Sequence, residues 1–103
     1  MKASERLKQA VDTLQLNAML WVDGAKAWRR LLAAADDATS SREELEAAVR
    51  EFARIQAQLT AWGHVLATYR QGDDWMPAAR EDQARLEEAY FEQLAALVVG
   101  VQS

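Results

Sequence analysis

His64 is the only histidine in the chain and the only side chain whose ordinary titration falls near neutral pH, so it is the first candidate for a general base or a haem ligand. On a helix it shares a flank with Ala53, Ala57, Thr60, Ala61 and Thr68, and antiparallel folding sets it near the levels of Asp12 and Asp82, as a His–carboxylate pair requires. A single histidine excludes a two-histidine metal site. The absence of cysteine excludes thiolate zinc sites, iron–sulfur clusters, disulfides and cysteine nucleophiles. The acidic pairs Asp36-Asp37 and Asp73-Asp74 fall where turns and helix caps use aspartate, and neither has the spacing of a calcium loop. Glu43 with Glu46 and Glu88 with Glu92 share helix faces, but no second carboxylate pair or Glu-x-x-His completes a di-metal bundle site. No cofactor and no metal is expected, and the residues point away from an enzyme.

The more specific polar signal lies inside apolar faces. Asn17 is in line with Ala10, Gly24 and Trp28, and Gln56 stands between Phe52, Leu59 and Gly63. Folding the chain back near residues 38 and 73 brings Asn17, Gln56, Thr60 and Tyr90 into one layer. Such side chains satisfy one another and fix register, because a buried amide left unpaired costs about 1–3 kcal/mol. The alternative is a small-molecule pocket in a natural or designed bundle, with Asn17, Gln56 and Tyr90 as polar contacts, Trp21 and Trp62 as walls and His64 as a reactive group.

Helices must position these residues, since strand alternation is absent. Helix breakers cluster only at Asp36–Ser41 and Gln71–Asp74. Ser41-Arg42-Glu43-Glu44 has the form of a capping box, and Pro77 suits the first turn of a helix capped by Asp73 or Asp74. The spacing predicts a single domain over 1–103, an all-α antiparallel three-helix bundle with helices at about 3–35, 41–71 and 75–101. Each would be about 40–45 Å long at 1.5 Å per residue.

The second helix carries a stripe of Leu45, Ala48, Val49, Phe52, Ile55, Leu59, Trp62 and Leu66, and the third groups Leu86, Tyr90, Leu94, Leu97 and Val98. The first helix differs: its apolar arc covers roughly 240°, where a bundle helix needs little over 100°. Two neighbours do not cover that arc. Its surplus edge, with Leu16, Met19, Leu20, Ala27 and Leu31, is the expected partner-binding surface, joined by Trp75 beyond the second turn.

A net charge of −4 and a pI near 4.9 oppose binding to nucleic-acid phosphates or anionic lipid. No apolar run approaches the ~20 residues of a membrane span, and Met1–Arg6 runs directly into charged helical sequence, so a cytoplasmic location is expected. The residues together predict a protein–protein interaction module of the accessory-subunit, chaperone or inhibitor type. Its expected partners are another protein and a second copy of itself, as a homodimer that completes the bundle.

Overall fold

The computed structural model describes residues 2–68 and 76–98, and in these the fold is all-α. Four α-helices are present: α1 Ala3–Thr13, α2 Val22–Asp36, α3 Arg42–Thr68 and α4 Met76–Val98. The three-helix expectation thus needs correcting at its first element. What reads as one helix over 3–35 is two, joined by a bend that contains a 3₁₀ turn at Ala18–Leu20.

The bend begins as a Schellman motif. The Leu16 N–H donates to the Val11 carbonyl at 2.9 Å and the Gln15 N–H to the Asp12 carbonyl at 3.3 Å. Gln15 occupies the left-handed position with φ 55°, a place usually held by glycine. At the far side Trp21 is the N-cap of α2 and makes no side-chain cap. Neither end of the bend carries the residue type that normally announces it, so periodicity ran on through.

The bend folds α1 back along α2. Ser4, near the start of α1, donates its backbone N–H and its hydroxyl to the two carboxylate oxygens of Asp36, at the end of α2, at 3.1 and 2.5 Å. A first-turn amide that lacks an intrahelical acceptor is thereby satisfied from the neighbouring helix. Helix α1 contacts α2 and α4, α2 contacts α3, and α3 packs along α4, so the four run up, down, up and down around one core. Leu7 of α1, Leu31 of α2, Leu45, Val49 and Phe52 of α3, and Leu94 and Val98 of α4 meet there, all fully buried. Trp28 leans on Phe52 with ring centroids 4.9 Å apart.

Two local expectations take visible form. Ser41 Oγ accepts from Glu44 N at 3.1 Å while Glu44 Oε2 accepts from Ser41 N at 3.3 Å, a capping box at the start of α3. Pro77 is the second residue of α4, where its missing N–H costs nothing. Asp73, Asp74 and Trp75 lie outside the described residues.

The helices differ in length, and that shapes the molecule. Antiparallel packing ends α2 at Val22, near the level of Gln56, whereas α3 continues to Thr68. The upper turns of α3, with the first turns of α4, project past the four-helix section, and the whole measures 50 × 22 × 21 Å.

Candidate functional site

The bend is held by one side chain from α3. Gln56 Oε1 accepts from the backbone N–H groups of Asn17 and Ala18, both at 2.8 Å. Its amide nitrogen donates to Asn17 Oδ1 at 2.7 Å and to Thr60 Oγ1 at 3.1 Å. Thr60 in turn shares a hydrogen bond of 3.1 Å with the Tyr90 hydroxyl of α4. Asn17, Gln56, Thr60 and Tyr90 therefore form one connected chain across the bend, α3 and α4. Gln56 is buried, and its two lone pairs and two N–H groups are all used, which leaves no capacity for a ligand.

The other residues of the expected pocket stand apart from that network. Trp21 and Trp62 are 51% and 42% exposed, so they do not wall an enclosed cavity. His64 is on the exposed upper hairpin, where Nδ1 is 2.8 Å from Asp82 Oδ2. Asp82 also bonds Arg85, and these contacts, the histidine first, hold its carboxyl below the usual carboxylate range. This is a His–carboxylate pair that clips α3 to α4. Among the described residues no group of three or more metal-ligating side chains exists, and no helix is long and apolar enough to cross a membrane. A groove of about 300 Å³ between α1 and α4, floored by Ala10, Leu14 and Leu97 with Arg6 at its rim, contains none of the six pocket residues. Nor does a groove of about 230 Å³ between α2 and α3, bordered by Asp23, Lys26, Glu51 and Arg54.

The residues expected to bind a partner are divided by the bend. Leu16, Ala27 and Leu31 are buried in this monomer, because α1 folds back and covers much of the surplus arc that no third helix was expected to reach. Met19 is half-buried against the core. Leu20 alone of the described members of the set is well exposed, at 77%, and with it stand Trp21 and Val22, the latter at 71%; Trp75 lies outside the described residues.

A second exposed group, not anticipated as a surface, lies on α3. The stripe Leu45, Ala48, Phe52, Ile55, Leu59, Trp62 and Leu66 is buried at its lower end against α2 and emerges once α2 has ended, until Leu66 is 81% exposed. Trp62 and Leu66 continue the same helical face above the bend, so the molecule carries an apolar shoulder made of Leu20, Trp21 and Val22 below and Trp62 and Leu66 above. The signal was in the sequence as the length of the stripe; what was hidden is how far α2 reaches along it. Comparison with protein-family models, with curated proteins and with solved structures finds no match to this chain.

Proposed function

We propose that this chain is a non-enzymatic protein-interaction module that binds through the apolar shoulder. The observation that carries the reading is the exposure of Leu20, Trp21, Val22, Trp62 and Leu66 on an otherwise well-packed small bundle. Large apolar side chains left exposed on neighbouring elements are a common mark of a contact surface. Two tryptophans supply large rigid area at low entropic cost, as interface anchors do. The charges of the α2–α3 groove, which starts at Asp23 next to Val22, are of both signs, Asp23 and Glu51 with Lys26 and Arg54, and favour neither a strongly basic nor a strongly acidic partner. The pocket alternative draws less support, because the Gln56 amide is saturated and His64 already engages Asp82.

The reading is tested with the double variant Leu20→Asp/Val22→Asp. Both side chains are exposed, so the circular dichroism spectrum and melting temperature should be retained. In cross-linking with mass spectrometry on source lysate, wild-type chain should give shoulder cross-links that the variant loses. Unchanged cross-links in the variant would sink the proposal.

A further inference from the structure

We infer that the bend between α1 and α2 is a hinge, and that the chain forms an exchanged dimer in which residues 3–36 become one helix. In that dimer each copy's α1 occupies the place α1 holds in the monomer of the other. The inference rests on the shoulder reading and names its occupant.

Two stripes carry the argument. Ala10, Leu14, Asn17, Trp21, Gly24, Trp28, Leu31 and Ala35 follow one another at alternating intervals of four and three residues, straight through the bend. The α3 stripe from Leu45 to Leu66 has the same alternation. Two antiparallel helices with such stripes pair along their whole length. In the monomer α2 runs beside only the lower part of the α3 stripe, because the chain leaves the α2 axis at Trp21. Carried upward as helix, residues 10–21 run beside Leu59, Trp62 and Leu66 and turn Trp21 inward. The exposed stretch of α3 is then the seat of this chain's own straightened segment.

Nothing in the bend's composition requires it to break. Residues 14–21 contain neither glycine nor proline, and Gln15 holds a left-handed conformation that disfavours any residue with a Cβ. The amides of Asn17 and Ala18, accepted by Gln56 in the bend, regain carbonyl partners within a continuous helix. A local strain and a transferable set of hydrogen bonds are what a hinge between two states needs.

A second copy is required because straightening removes α1 from its own bundle. Leu7 is fully buried beside Leu31, Leu94 and Val98, and its departure opens an apolar hole of its own shape. An identical α1 fills that hole with identical contacts, the Ser4–Asp36 bonds included. Exchange between copies is thus a low-cost route to a dimer. Ala10 and Leu14, which floor the open α1–α4 groove in the monomer, belong to the stripe that would meet α3.

Gly24 supplies a switch for the test. A Cβ placed on it would lie 1.8 Å from the Ala18 carbonyl oxygen, so the bend needs glycine there, whereas a straight helix prefers alanine. Gly24→Ala should therefore raise the dimer fraction at a given concentration several-fold by light scattering, and Gln15→Gly should lower it. The state is read by spin labels at Lys8→Cys and Ala33→Cys, both exposed and unobscured by native cysteine, in labelled chain diluted with unlabelled chain. Separations within one chain should be about 38 Å in the dimer and below about 20 Å in the monomer. If Gly24→Ala does not fold, the wild-type distances and the Gln15→Gly response decide the matter. A dimer with only the short distance, abolished by Leu20→Asp/Val22→Asp, would overturn exchange while leaving the shoulder as an interface. A monomer carrying the long distance, or no dimer in wild type and Gly24→Ala alike, would also overturn it.

Discussion

Gln56 ties the bend to α3 and makes four hydrogen bonds from one buried side chain. A glutamine at the centre of an apolar stripe is a cost unless all its hydrogen-bonding groups are met, and here they are met by Asn17, Ala18 and Thr60. Gln56→Ala leaves two backbone amides, one of them on fully buried Ala18, without an acceptor. The expected loss is roughly 2–4 kcal/mol of unfolding free energy, measured by urea denaturation. A loss below about 0.5 kcal/mol would show that water replaces the amide at no cost. Leu31 and Leu20 form a second residue-scale contrast, since both belong to the edge expected to bind a partner. Leu31→Ala should cost about 2–5 kcal/mol as a core truncation, whereas Leu20→Asp should change the stability of dilute monomer by less than about 0.5 kcal/mol.

At the scale of the element, the seat of α1 depends on Asp36. Its carboxylate accepts from the Ser4 hydroxyl and then the Ser4 backbone N–H, which together hold it below its ordinary value of 3.8, with Lys2 and Lys8 adding to the effect. A carboxyl lowered by folding contributes stability that is complete above the unfolded value and is lost as pH falls through the folded one. Helix α1 should therefore loosen as pH falls below about 4. Amide exchange rising in α1 over that range would report it, and Asp36→Asn should remove this pH dependence from α1. Charge pairs along the helices were only partly legible. Arg42 pairs with Glu46 at 3.0 Å as the i,i+4 spacing suggests. Arg50, which the same spacing sets beside Glu46, instead crosses to Glu87 and Glu88 of α4 and lies 3.9 Å above the Phe91 ring, and Arg85, set by that spacing beside Glu81, turns to Asp82. Intrahelical spacing lists neighbours; a partner on the next helix wins when it offers two carboxylates and an aromatic face.

For the whole molecule, unequal helix lengths create both the core and the shoulder. The four-helix section is closed on itself, while the upper α3–α4 pair carries the His64–Asp82 clip and buried small apolar side chains such as Ala61 and Val65. That section should show faster amide exchange in α3 beyond Leu59 than in residues 45–57, and association through the shoulder should slow it. Equal protection along all of α3 in dilute monomer would count against this picture. Helical class, the Asp36–Ser41 turn, the capping box at Ser41 and the linkage of Asn17, Gln56, Thr60 and Tyr90 were readable from residue type and period. These are local preferences, or follow from counting residues back from a turn. Burial of that layer holds for Gln56 only: the bend leaves Asn17 exposed, and Thr60 and Tyr90 are half-buried. The break at Leu14–Trp21 was not readable, because a glutamine in a glycine position and a tryptophan at an N-cap carry no local signal; packing of α1 against α2 and α4, with Gln56 as acceptor, outweighs the helical preference of those residues. That one tertiary choice put Leu16, Ala27 and Leu31 inside and left Leu20, Trp21, Trp62 and Leu66 facing water.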